Sequence, residues 1–210
     1  MTVMQPTVAA GTDPQVQEYG TPAKWFHWIT VPLLLTALPV GIVIKYIPAP
    51  EPDLLAQTPA AQQFAEAANQ TKMAFYAVHE SAGVTIFLVV LARLLWRLTH
   101  PAPPMSERIP APLRRLANTV HHSLYGLLLL QPMLGFLATN AWGFPLRGDT
   151  AYLGFINLPK FMEADPDLAG PVQLVHTYVG WTILLLIVLH VLGVIWHQAI
   201  RRDNTLLRMV

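Results

Sequence analysis

The last long apolar stretch of the chain, VQLVHTYVGWTILLLIVLHVLGVIWHQ, contains three histidines, and two of them lie well inside it. They are His176 and His190, fourteen residues apart. In a helix this spacing corresponds to about four turns and about 21 Å, so both imidazoles would point the same way at different depths. An imidazole in an apolar helix is costly unless it has a partner or a function. It can bind a metal, or it can form a hydrogen bond to a neighbouring helix.

The composition indicates a membrane protein. Of the 210 residues, 53% are hydrophobic and only 12% are charged, about half the charged fraction of a typical soluble domain. The net charge is +1 and no basic stripe is present, which argues against nucleic-acid binding. Because the chain has no cysteine, disulfides and thiolate-bound clusters are excluded, and any metal must be held by histidine, methionine or oxygen ligands.

Four stretches are long and apolar enough to cross a bilayer, which takes about 20 residues. They run over about Trp25–Ile47, Met73–Leu98, Leu116–Trp142 and Val172–Ala199. In lipid a backbone must satisfy its own hydrogen bonds, so each stretch is expected to be a helix. We therefore predict an all-α, integral-membrane four-helix bundle. It forms a single domain over residues 21–210, and a disordered tail over residues 1–20 precedes it.

The distribution of lysine and arginine predicts that both termini are cytoplasmic, because cytoplasmic loops carry an excess of these residues. Nine of them fall on the side that holds the termini and the connection between spans two and three: Lys24, Arg93, Arg97, Arg108, Arg114, Arg115, Arg201, Arg202 and Arg208. Four fall on the other side: Lys45, Lys72, Arg147 and Lys160.

With this topology, four of the eight histidines fall at two levels within the spans. His27 and His190 lie toward the cytoplasm and are called the inner pair. His79 and His176 lie toward the outside and are called the outer pair. Each pair takes one residue from the fourth span, and a porphyrin whose iron is bound by two axial imidazoles fits such a pair. Two porphyrins at this spacing would leave a short gap for electron tunnelling across the bilayer.

The neighbours of these histidines agree with a flat ligand. Gly83, Gly180 and Gly193 each lie one turn from a histidine and on its face, where a macrocycle needs clearance. Arg93 lies fourteen residues after His79, at the inner level, and is expected to bind a haem propionate. Simpler interpretations stay open: the histidines bond between helices, the glycines allow close packing, and Arg93 extends to the cytoplasmic surface.

The other four histidines fall on the cytoplasmic side: His100, His121, His122 and His197. His100 is interpreted as a solvent-exposed residue of a Pro-rich loop, and the other three as residues of the membrane interface. His100, His121 and His122 also have the chemistry for a proton relay, since imidazole titrates near neutral pH.

Several segments, in this order, carry a resemblance to a known family. They are FHW around His27, VHESAG around His79, LARLLWRLTHPAPP, HHSLYGLLLLQPMLG, VLHVLG around His190 and the closing DNTLLRM. The chain resembles bacterial cytochrome b561, a four-helix protein of the inner membrane with two haems. The resemblance implies two b-type haems with four axial ligands, namely His27, His79, His176 and His190. It also implies ubiquinone as a partner and a superoxide:ubiquinone oxidoreductase activity fed by periplasmic superoxide.

Three functional hypotheses follow. The first is transmembrane electron transfer through two haems, from a periplasmic donor such as superoxide to the ubiquinone pool. The second is a membrane anchor and electron conduit for a separate dehydrogenase or a periplasmic redox protein, with the long acidic outer loops as docking surfaces. The third is a histidine-lined metal-ion transporter, for which the spans offer a single carboxylate, Glu80. Whether the protein is a monomer or a homodimer stays open.

Overall fold

The computed structural model describes residues 17–47, 58–105, 109–144, 146–202 and 205–210. Four long helices make up most of it: α1, Thr21–Tyr46; α2, Pro59–Thr99; α3, Ala111–Ala141; and α4, Pro166–Ile195. All four are long and apolar enough to cross a membrane, which confirms the predicted all-α bundle. A π-helical turn over Trp196–Arg201 continues α4, and a 3₁₀ turn over Thr205–Arg208 follows. Residues 1–16 of the predicted tail lie outside the described residues.

The helix α2 is much longer than the predicted span, because it begins at Pro59 and not near Met73. Its first turns, PAAQQFAEAANQTK, are too polar to count as a membrane span but are rich in good helix formers. Thr58 caps this end, since its hydroxyl accepts a hydrogen bond from the amide of Ala61 at 3.2 Å. The 41 residues of α2 measure about 60 Å, twice the apolar thickness of a bilayer, about 30 Å. The helix is therefore long enough to extend beyond the membrane at its N-terminal end, which the predicted topology places outside.

The helices pack in chain order, α1 on α2, α2 on α3 and α3 on α4. Within the described residues, α4 does not pack closely on α1 or α2. The buried core is apolar and lies between the two histidine levels. It consists of Ala37, Ala82, Ile86, Val90, Leu128 and Ile183. Large apolar side chains such as Leu35 and Leu185 are exposed on the outside of the bundle, as expected where the solvent is lipid.

The first described residues and the C-terminus lie at the same end of the bundle, where the buried Arg208 joins three segments. Its guanidinium donates hydrogen bonds to the carbonyls of Gln17, Pro103 and Pro104, at 3.1, 2.7 and 2.9 Å. The amide of Tyr19 donates to the carbonyl of Arg208 at 3.0 Å. One side chain thus links the start of the described chain, the α2–α3 connection and the C-terminal segment. Which side of the membrane this end faces stays a prediction.

Replacing Arg208 with alanine is expected to destabilise the bundle by about 2 kcal/mol, because three carbonyls lose a charged donor. The melting temperature of the detergent-solubilised protein should therefore decrease. Arg208→Lys should melt between wild type and Arg208→Ala, because lysine keeps the charge but lacks the planar fork of donors. The exposed Arg115 offers a matched control, Arg115→Ala. Equal melting temperatures for Arg208→Ala and this control would contradict the linking role.

The connection between α3 and α4 packs against the middle of α2, a few residues after His79. It contains a 3₁₀ turn, Gly148–Thr150, and a tight reversal closed by a bridge between Tyr152 and Ile156. The amide of Leu153 donates to the hydroxyl of Ser81 at 3.0 Å. The hydroxyl of Tyr152 lies 3.3 Å from that of Thr85. This connection therefore lies against α2 just beyond His79.

Candidate functional site

The outer pair joins α2 and α4. The ring centroids of His79 and His176 are 6.1 Å apart, and the ring planes meet at 76°. A metal about 2 Å from one nitrogen of each imidazole would place the centroids about 6 Å apart. The Nδ1 of His79 lies 2.9 Å from the carbonyl of Ala37, and the Nδ1 of His176 lies 3.1 Å from that of Gln131. Since a carbonyl only accepts, each Nδ1 carries the proton, and each Nε2 has the lone pair that a metal requires.

Two glycines provide space for these rings. A Cβ at Gly41 would lie 2.7 Å from Cε1 of His79, and a Cβ at Gly135 would lie 3.1 Å from Cε1 of His176. Each glycine follows the accepting carbonyl by four residues, in the segments ALPVG and QPMLG. Thus α1 supports His79 and α3 supports His176 in the same way. The two rings are held in closely packed helix interfaces and face each other across the more open gap between α2 and α4.

The inner pair joins α1 and α4 with almost the same geometry. The centroids of His27 and His190 are 6.2 Å apart, at an angle of 66°. A third imidazole, that of His121 on α3, lies closer to His190, at 5.2 Å and 65°. The sequence predicts for His121 only an interface or relay position, because no spacing rule connects it to the fourth span.

The proposed relay residues are not brought together. His122 is exposed and donates from Nδ1 to the carbonyl of Asn118 at 2.7 Å, within its own helix. His100 is stacked on Trp96, with the centroids 3.6 Å apart. Only His121 of the three contacts the inner pair, so the geometry gives no support to a chain of three imidazoles.

Arg93 lies at the inner level, as predicted from its spacing. Its charge is close enough to act on both His27 and His190. The guanidinium lies 5.1 Å from the ring centroid of Tyr125, a cation–π contact. Its Nε is buried and has no hydrogen-bond partner among the described residues. A half-buried cation with an unused donor is suited to an anionic group such as a carboxylate.

Two other buried polar atoms lack hydrogen-bond partners among the described residues. The Oε2 of Glu80 and the Oε1 of Gln131 are buried, and in the described part of the chain neither accepts a hydrogen bond. The side-chain amide of Gln131 donates to Nε2 of His176 at 3.2 Å. Arg93 and Gln131 each border a histidine pair, whereas Glu80 adjoins His79 only in sequence. Such atoms normally have a partner, so their position fits sites completed by a further polar group.

The glycines predicted to give clearance differ among themselves. A Cβ at Gly83 or Gly193 would have no atom within 4 Å, whereas a Cβ at Gly180 would lie 3.2 Å from Nε2 of Gln131. Open space therefore adjoins His79 and His190, and the side chain of Gln131 lies beside Gly180. An iron porphyrin at each level fits four features. They are the separation of the paired rings, the gap between α4 and the helices α1 and α2, the open space beside Gly83 and Gly193, and the unsatisfied polar atoms.

Four membrane-length helices with imidazoles paired at two depths define the class of transmembrane b-type cytochromes. A model of the prokaryotic cytochrome b561 family matches residues 18–210, and the chain belongs to this family. This confirms the resemblance found in the sequence. Family membership makes the protein a multi-pass bacterial membrane protein that binds b-type haem and acts in electron transfer.

Three relatives are similar to the chain over about two thirds of its length. A protein of Yersinia pestis named probable superoxide oxidase CybB is 28% identical over 134 residues, which cover 63% of this chain and 73% of that protein. Cytochrome b561 homolog 2 of Escherichia coli strain K12 is 31% identical over 137 residues, 63% and 69% of the two chains. Cytochrome b561 homolog 1 of the same strain is 26% identical over 142 residues, 68% and 78%.

Proposed function

We propose that the protein holds two b-type haems and transfers electrons across the bacterial inner membrane. His27 and His190 bind the inner haem, His79 and His176 bind the outer haem, and Arg93 pairs with a propionate of the inner haem. The observation that carries this proposal is the pair of matched separations, 6.2 and 6.1 Å, at two levels joined by α4. Each haem would accept and donate one electron at a time. Ligation by two histidines leaves no open iron position, which favours electron transfer over oxygen binding.

Superoxide is the proposed donor on the outer side, and ubiquinone is the proposed acceptor. Two superoxide anions each lose one electron and become dioxygen, while one ubiquinone gains two electrons and two protons and becomes ubiquinol. The name of the Yersinia pestis relative, a probable superoxide oxidase, supports this choice. The excess of lysine and arginine on the side of the termini supports the orientation, with both termini in the cytoplasm.

The charges of the outer side bear on how an anion would arrive. Three cations of the outer connections, Lys72, Arg147 and Lys160, could attract superoxide, but Lys160 forms an ion pair with Glu163 at 2.8 Å. This pairing weakens its field, so Lys72 and the exposed Arg147 are the stronger candidates for steering. An attraction of this kind should weaken as the salt concentration rises.

Stopped-flow absorbance on the purified, oxidised protein tests the donor and the acceptor separately. We expect superoxide to produce the reduced haem bands and ubiquinone to reverse them, and superoxide dismutase should abolish the first step. Ubiquinol alone should reduce the protein less completely than superoxide does, since the proposed direction is toward the quinone. Failure of superoxide to reduce a haem-loaded protein would reject it as the donor.

The second candidate, an electron conduit for a separate dehydrogenase or periplasmic redox protein, is favoured by one observation. The outer end of α2 is a capped helix that continues over Pro59–Lys72, beyond the predicted span. It offers a rigid surface outside the bilayer for a protein partner. Haem reduction by a co-purifying protein, and not by superoxide, would support this candidate.

A further inference from the structure

The two histidines of α4 both lie along α3, but α3 supports them differently. At the outer level a backbone carbonyl, that of Gln131, accepts the Nδ1 proton of His176 at 3.1 Å. A metal-binding histidine nearly always donates its other ring proton to such a group, which fixes the tautomer and the orientation of the ring. At the inner level, the side chain of α3 that reaches the α4 histidine is His121, with its ring centroid 5.2 Å from that of His190.

The contact between His121 and His190 is too short for the two rings to lie on opposite sides of an iron. The predicted ligand pairs have centroids 6.1 and 6.2 Å apart, as two imidazoles on one metal require. At 5.2 Å and 65° the edge of one imidazole meets the other directly. His121 is half-buried, whereas its neighbour His122 is exposed. His121 therefore contacts the ring of His190 directly, whereas His27 faces that ring across the wider gap between α1 and α4.

We propose that His121 is a positioning residue for His190 and corresponds to the carbonyl that holds His176. A neutral imidazole has one nitrogen with a free lone pair, which accepts the ring proton of His190 and fixes the tautomer that ligates iron. This inference rests on the proposed haem ligation by His190. It makes the two levels unequal, because a backbone atom orients the outer ligand and a replaceable side chain orients the inner one.

The experiment compares purified holoprotein of wild type, His121→Ala, His121→Gln and the control His122→Ala. Haem is counted per protein, and a redox titration with electron paramagnetic resonance separates the two low-spin haems. In His121→Ala we expect inner-haem binding to weaken about 10- to 100-fold. The resonance and midpoint potential of the remaining inner haem should shift, while the outer haem is unchanged. His121→Gln keeps an acceptor and should recover part of the loss, and His122→Ala should match wild type.

Three outcomes would overturn the inference. In the first, the inner-haem signals and affinity of His121→Ala equal those of wild type. In the second, His121→Ala loses the inner haem completely while His27→Ala keeps it, which would make His121 the axial ligand. In the third, wild type contains no haem, which would also overturn the proposed function. An intact outer haem in each variant shows that the bundle has folded.

Discussion

Replacing His190 with alanine is expected to remove the inner haem and to leave the outer haem bound. His190 is the α4 member of the inner pair and has two other imidazoles, those of His27 and His121, around it. His27 already binds from the opposite side of the porphyrin, and His121 contacts His190 from α3, one ring farther from the iron. Haem measured against protein should fall from about two per chain to about one, since the second level keeps both ligands. The remaining haem should retain a low-spin, reducible spectrum.

The reciprocal variant makes this result specific. His176→Ala should lose the outer haem and keep the inner one, so the two variants should each contain one haem with different spectra. The exposed His122 provides a histidine-to-alanine control that should retain both haems. If His190→Ala kept both haems, His190 would be a packing residue. Loss of both haems from this variant would show that the two levels do not assemble independently.

Much of this arrangement can be predicted from sequence, because a helix has a fixed rise and a membrane has a fixed thickness. Apolar runs located the four helices, and their alternating direction sorted His27, His79, His176 and His190 into levels. The predicted start of α2 was wrong, because hydropathy marks where a helix meets lipid and not where its backbone hydrogen bonds begin. Thr58 and the polar helix formers that follow it carry α2 well past the predicted boundary.

The contacts that hold the paired histidines in place could not be predicted from helix rise and membrane thickness. Gly41, Gly135 and His121 lie on α1 and α3, and their contacts depend on how each helix is rotated about its own axis. Membrane helices are apolar on most sides, so periodicity fixes that rotation poorly. Packing supplies the missing information, because it places the carbonyls of Ala37 and Gln131 against histidines on other helices. The repeated ending of ALPVG and QPMLG in glycine is a signal that becomes meaningful only after those contacts are known.

The helices have different roles at the outer level. α2 and α4 carry the outer ligands, while α1 and α3 hold them from behind through backbone atoms. Because backbone carbonyls cannot be removed by substitution, this backbone support is best tested at Gly41 and Gly135, where an added Cβ would contact the rings. Of the two, Gly41 has the tighter surroundings, since an added Cβ would lie 2.7 Å from His79, against 3.1 Å for Gly135 and His176.

Replacing Gly41 with alanine is therefore expected to abolish outer-haem binding while the inner haem stays. The new Cβ would lie 2.7 Å from Cε1 of His79, closer than such atoms approach in proteins, and 3.1 Å from its Nδ1. The closely packed α1 and α2 leave little room to separate, so the ring must turn. Turning breaks the 2.9 Å hydrogen bond from Nδ1 to the carbonyl of Ala37 and moves Nε2 away from its ligating direction.

The control for this variant is Gly126→Ala on α3, where an added Cβ would have no atom within 4 Å. Glycine inside a helix is less stable than alanine by about 0.5–1 kcal/mol, so Gly126→Ala should keep both haems and melt slightly higher. Gly135→Ala should weaken outer-haem binding less than Gly41→Ala, because His176 needs to shift by only a few tenths of an ångström. The order of outer-haem retention is thus expected to be Gly126→Ala, then Gly135→Ala, then Gly41→Ala. Retention of both haems in Gly41→Ala would show that the His79 ring tolerates displacement, and its contact with α1 would then not orient a ligand.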